Sequence, residues 1–158
     1  MTVRLRALRD DELPAYRDAV ERGYIDDISE RGGWPRPLAE AKAAREFEQL
    51  WPGGRPAEGQ AIYAVEDAET DEGVGFLWIA QRDSQGRQVL WIHDIEVDER
   101  FRGRGYGRAA MGLAEEQARQ RGLARVELNV FGRNEVARSL YRSLGYEENA
   151  VWMGKDLA

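Results

Sequence analysis

At 158 residues the chain is long enough for one domain with a buried core and too short for two ordinary catalytic domains. It is 42% hydrophobic and 33% charged, which excludes both a membrane-spanning and a disordered class. A net charge of -6 at pH 7 denies it the basic footprint of a nucleic-acid binder, and the absence of cysteine removes disulfides, thiolate metal sites and cysteine nucleophiles.

The first thirteen residues carry Arg4, Arg6, Arg9, Asp10, Asp11 and Glu12 and no apolar run, so no secretory leader and a cytoplasmic address are expected. Val3, Leu5 and Ala7 alternate with Arg4 and Arg6, which predicts a half-buried strand over Val3 to Leu8. Asp10 then offers a cap for a helix from about Asp11 to Glu30, whose apolar face is Leu13, Tyr16, Val20, Tyr24 and Ile28. Pro14 falls early enough in it to be tolerated. After Gly32 to Pro37 a second helix is predicted over Leu38 to Trp51, with Leu38, Ala41, Ala44, Phe47 and Trp51 inward.

From Gln60 the period changes. Ala61 to Glu66, Val74 to Gln81 and Gln88 to Val97 read as strands joined by short turns, hence an antiparallel meander. There follow a helix over Arg104 to Arg121, a strand over Ala124 to Phe131, a helix over Asn134 to Leu144 and a strand over Tyr146 to Lys155. The helical crossover makes the pair 88–97 and 124–131 parallel. The fold class is therefore α+β, one domain over residues 1–158 built on a mixed, mostly antiparallel sheet with helices on both faces.

One histidine, His93, cannot build a multi-histidine metal site, and neither a D-x-D-x-D-G loop nor a G-x-S-x-G nucleophile is present. Metal-free chemistry is expected. The informative stretch is Ile95 to Arg108, where Gly103, Gly105 and Gly107 open a helix among Arg100, Arg102, Arg104 and Arg108 with no acid between 100 and 108. Alternate glycines let backbone N–H groups crowd an anion at a helix N-terminus. The glycines run G-x-G-x-G after a meander strand, which disfavours a dinucleotide fingerprint, and no Walker A sequence occurs. A plain tight turn with solvated arginines is the alternative.

Arg102-Gly103-Arg104-Gly105-Tyr106-Gly107 resembles the R/Q-x-x-G-x-G/A motif of the GNAT superfamily of acyl-CoA N-acyltransferases. Asn134-Glu135-Val136-Ala137-Arg138-Ser139-Leu140-Tyr141, followed by Leu144-Gly145-Tyr146, resembles the family's N-x-x-A-x-x-L-Y-x-x-x-G-F/Y segment. The likeness runs from about residue 60 to 155. It implies acetyl-CoA as co-substrate without a metal, its pyrophosphate on the amides around Arg102, Gly103, Arg104, Gly105, Tyr106, Gly107 and Arg108, and Asn134, Ala137 and Tyr141 beside it. It implies further that the parallel strands splay, that the backbone of Ile95 and Val97 pairs with the pantetheine arm, and that Tyr141 protonates the leaving thiolate. Tyr141 as a packing residue and Asn134 as a helix cap are the structural alternatives.

For the base that deprotonates the amine, Glu96 ranks first, Asp94 next and His93 third. Asp94 and Glu96 share a strand face, with His93 on the other unless a bulge intervenes. Residues 10 to 31 hold eight acids against three arginines, which favours a cationic acceptor, a small molecule or a peptide, although solvated helix charge is the more ordinary explanation. Trp34, Trp51, Trp78 and Trp91 read mainly as core. The expected function is transfer of an acetyl group from acetyl-CoA to a primary amine. The alternatives are a non-catalytic acyl-CoA-binding sensor or interaction module, and a nucleotide-binding domain. No nucleic-acid or membrane partner is expected, and exposed strand edges leave room for a homodimer.

Overall fold

The computed structural model describes residues 2–158; Met1, which begins the stretch read as lacking a leader, lies outside the described residues. The chain runs β1 (Val3–Ala7), α1 (Leu13–Glu30), α2 (Arg36–Leu50), β2 (Gln60–Asp67), β3 (Gly73–Ser84), β4 (Arg87–Val97), α3 (Tyr106–Gln120), β5 (Val126–Leu128) and α4 (Glu135–Ser143). The five strands form one sheet in chain order, antiparallel from β1 to β4 and parallel between β4 and β5.

Strand alternation sorts the apolar residues into two cores. Val65, Leu77, Ile79, Leu90 and Ile92 face α3, packing on its Ala110, Met111, Ala114 and Ala118, with Tyr141 of α4 and Leu144 just after it at the margin. Ile62 and Trp78 face the opposite way, onto Tyr16 and Val20 of α1 and Phe47 of α2, with Trp51 just beyond α2. The sheet thus separates a cover of α3 and α4 from a cover of α1 and α2.

Four expectations need correction. Asp10 does not cap α1: the cap position is Glu12, whose carboxylate takes the Arg9 N–H at 2.8 Å and both Arg6 terminal nitrogens, while Asp10 pairs with Arg55. The inner face of α2 is Ala39, Ala43, Phe47 and the flanking Trp51, one step round from the expected Leu38, Ala41 and Ala44, which are exposed. Spacing of four selects these small residues because α2 lies close against α1. Strand β5 is three residues long instead of eight, because its pairing ends at Ile92↔Leu128, immediately before an irregularity in β4. The expected strand over Tyr146 to Lys155 does not form. Tyr146 is held by its N–H on the Tyr141 carbonyl at 3.0 Å, whereas Val151, Trp152 and Met153 are exposed on a tail without regular structure. So short a β5 offers little ladder for a further strand.

Candidate active site

The irregularity in β4 is a β-bulge at His93. Trp78 pairs with Asp94 and Ile79 with Ile92, which leaves His93 as the extra residue. The bulge reverses the strand's parity: Leu90 and Ile92 face α3 before it, Ile95 and Val97 after it. Asp94 and Glu96 are thereby turned to the α1 side, together with His93, whose ring stacks on Trp78 at 4.5 Å. All three candidate bases share one face, as the sequence allowed only if a bulge intervened.

The backbone of the same segment is half unpaired. Asp98 donates its N–H to Val74 of β3 at 2.9 Å, so by alternation Asp94 and Glu96 also turn their backbone to β3. Ile95 and Val97 turn theirs to the side where β5 has ended. The Val97 carbonyl there accepts a hydrogen bond of 3.0 Å from Arg102 Nε.

Burial pushes the Asp94 carboxyl up to about 7, with Glu96 and Asp27 adding repulsion and the Tyr16 hydroxyl, which donates to Asp94 Oδ2 at 2.8 Å, working against them. Asp94 Oδ1 has no hydrogen-bond partner among the described residues and is not sealed from solvent. Glu96 is raised in the same direction by partial burial and by Asp98, with Arg102 opposing. His93 is lowered to about 4, chiefly by burial and then by the charge of Arg82. At neutral pH His93 is uncharged, whereas the Asp94 carboxyl is raised into the neutral range.

The glycine loop meets this edge at Val97, through Arg102 and Gly107. Gly103 and Gly105 have φ of 73° and 90°, a region that side chains disfavour, and Gly105 is the N-cap of α3. The N–H groups of the first turn of α3 have no acceptor within the helix and point outward. Gly107 has an ordinary φ and gives room instead, near Leu140 of α4 and Val97 of β4. Arg102, Arg104 and Arg108 are exposed; Arg104 lies over the Phe101 ring and Arg108 donates to Ser143 of α4 at 2.6 Å. The Tyr106 side chain points away from the loop into the core, donating to Asp67 at 2.6 Å, so only its backbone faces the loop.

Asn134 caps α4, its Oδ1 accepting the Ala137 N–H at 3.3 Å. Tyr141 lies at the margin of the α3-side core and its hydroxyl has no hydrogen-bond partner among the described residues. Burial raises its pKa, and the charge of Asp94 raises it further. Sequence reasoning placed Tyr16 only in a helix stripe and missed its contact with Asp94. No local signal marks a hydroxyl whose partner is 78 positions away.

Among the described residues no helix is long and apolar enough to cross a membrane, and no group of three His, Asp or Glu is placed to hold a metal ion. The model of the Acetyltransferase (GNAT) family matches residues 6–146. The uncharacterized N-acetyltransferase YycN of Bacillus subtilis is 29% identical over 99% of this chain and its own full length, and YdgE of the same organism 27% over 99% of each. The crystal structure of YycN superposes with a TM-score of 0.90 over 99% of both chains. A structure of AAC(6')-Iy with the bisubstrate analog CoA-S-monomethyl-acetylneamine shares the fold at a TM-score of 0.60 and 18% identity, over 100% of this chain and 99% of the other.

Proposed function

The chain belongs to the acetyltransferase (GNAT) family, and from that premise we propose that it is a cytoplasmic N-acetyltransferase moving an acetyl group from acetyl-CoA directly to a primary amine of a cationic acceptor. The observation that carries this reading is that β4 and β5 cease to pair at Ile92↔Leu128, immediately before the bulge that turns Asp94 and Glu96 to the α1 side. On this reading Asp94 is the proton acceptor and Tyr141 the proton donor.

Residues on both sides of the point where pairing ends fit the co-substrate. The free amides around Gly103 to Arg108, with the positive end of α3 and the exposed Arg104 and Arg108, suit a pyrophosphate. The backbone of Ile95 and Val97, directed away from β3, suits an extended amide-bearing arm. Acetyl-CoA, when bound, supplies the activated acetyl thioester.

Asp94 Oδ1 takes the proton of the acceptor's ammonium, a transfer that a carboxyl raised to about 7 makes less uphill than an ordinary carboxylate would. Glu96 and Asp27, which lie near enough to raise Asp94, add negative potential that draws a cation. Tyr141, with its hydroxyl unpartnered, keeps a proton for the departing sulfur. Asn134 and Ala137 fix the start of α4 and so the position of Tyr141. No acyl-enzyme is required, and the chain has no cysteine to form a thioester.

The test is the thermal midpoint of the purified protein with acetyl-CoA, CoA, ATP and NAD in parallel, followed by an amine screen with free-thiol detection. Ligand at about 100 times its dissociation constant adds roughly 2.7 kcal/mol, a shift of several degrees. A shift with the CoA species alone and amine-dependent thiol release are expected. A larger shift with ATP or NAD overturns the reading, and CoA binding without amine-dependent release leaves the non-catalytic sensor in its place.

A further inference from the structure

We propose that Tyr16 is the positioning residue of this site: its hydroxyl, brought across from α1, fixes one oxygen of Asp94 and leaves the other directed to the incoming amine. The inference rests on the acetyl-transfer reading above and assigns to α1 a part in the chemistry.

Three observations converge on it. The Tyr16 ring is only 4% exposed, and lies between Phe76 at 5.0 Å and Trp51 at 6.2 Å, so its direction is set by packing. A phenylalanine would satisfy that packing alone, whereas a buried hydroxyl is costly without a partner. Its partner is Asp94, at 2.8 Å. The bulge at His93 is what makes the contact available, since in a regular strand Asp94 would face α3 and lie beyond reach of α1.

The arrangement resolves a conflict between affinity and orientation. Asp94 takes a hydrogen bond from Tyr16 of α1, is raised by the charges of Asp27 of α1 and Glu96 of its own strand, raises Tyr141 of α4 in turn, and follows His93 on the same face. None of these is a cation that would hold the carboxylate in place. Tyr16 supplies a fixed dipole instead, and burial together with Asp94 keeps its proton on the phenol throughout the working range. A neutral donor orients the carboxylate without neutralising it, so Oδ1 stays basic.

The experiment uses Tyr16→Phe in the full chain, which keeps the ring and removes the oxygen. The hydrogen bond favours the ionised form, so its loss is expected to move the carboxyl-13C titration of Asp94 upward by about one pH unit. The acid limb of kcat/KM for the amine is expected to move with it, giving roughly ten-fold slower turnover on that limb with the KM for acetyl-CoA unchanged. An Asp94 titration identical to wild type overturns the inference whatever the substrate proves to be. So does a uniform rate loss with the acid limb unmoved, the mark of a merely structural tyrosine. If the wild type turns over no amine, the acetyl-transfer reading fails and with it the chemical role of Tyr16, while the titration still decides whether Tyr16 sets Asp94.

Discussion

Gly75 lies so close to Glu96 that a methyl group on its Cα would overlap the Glu96 carbonyl oxygen. The contact sits where β3 meets the functional end of β4, one position beyond a second bulge at Val74. Two irregularities on adjacent strands thus shape the segment that carries Asp94 and Glu96. Gly75→Ala forces the backbones apart and is expected to destabilise the fold by about 2 kcal/mol. Because the strain falls on β4, turnover drops in the folded fraction as well. Urea unfolding, with kcat measured on the folded protein, checks both, and an alanine that leaves kcat untouched removes Gly75 from the architecture of the site.

Tyr141→Phe keeps the ring at the margin of the α3-side core and removes the proton donor. Turnover is expected to fall about 10²-fold or more while acetyl-CoA still raises the thermal midpoint. Unchanged turnover takes Tyr141 out of the mechanism and leaves it a packing residue.

Asp94 and Glu96 separate by the pH dependence of stability. The folded pKa of Asp94, about 7, is raised above its ordinary 3.8, so the folded state holds a proton that the unfolded state gives up. Its contribution is complete below about pH 4 and is lost as the pH rises to about 7. Asp94→Asn has no proton to lose, so it is expected to gain on the wild type across that window, reaching about 2 kcal/mol at pH 8 after allowance for solvent screening. The same variant loses roughly 10²-fold in amine turnover. Glu96→Gln, at the more open position, flattens the rising limb of the rate profile only if Glu96 is the base. A profile identical to wild type assigns the proton to its neighbour.

Tyr106→Phe separates loop from core. Loss of the hydroxyl leaves Asp67 with only the Glu69 and Thr70 amides, at 2.8 and 3.1 Å, so the midpoint is expected to fall by a few degrees. Affinity for CoA is expected to fall only modestly and through slower association, because the loop meets its ligand with the Tyr106 backbone and loses only the root of its anchoring. A weakened CoA response with unchanged stability reverses that assignment.

The antiparallel meander, the parallel pair and the glycine loop were legible because each has a local signature: alternation, crossover length, and residues that tolerate positive φ at Gly103 and Gly105. Features set by distant contacts were not. Nothing in Trp91-Ile92-His93-Asp94 announces a bulge, yet the face presented by Asp94 depends on it. The inward face of α2 slipped by one residue because alanine, present at 39, 41, 43 and 44, carries no periodic contrast. The tail after Tyr146 has the composition of a strand, but a strand needs a ladder, and β5 supplies three residues. Asn134 was legible in one of its two readings, as the cap of α4.

Asp67 does more than close a turn. It ties the β2–β3 corner to Tyr106, and so roots the glycine loop in the rigid part of the sheet. A loop anchored in this way does not have to fold around its ligand. The conformational entropy of presenting the loop's amides is lost once, when the chain folds, and is absent from every later encounter with an anion. Association at this loop is then limited by diffusion and orientation, so variants that loosen the root will slow capture before they change what is captured.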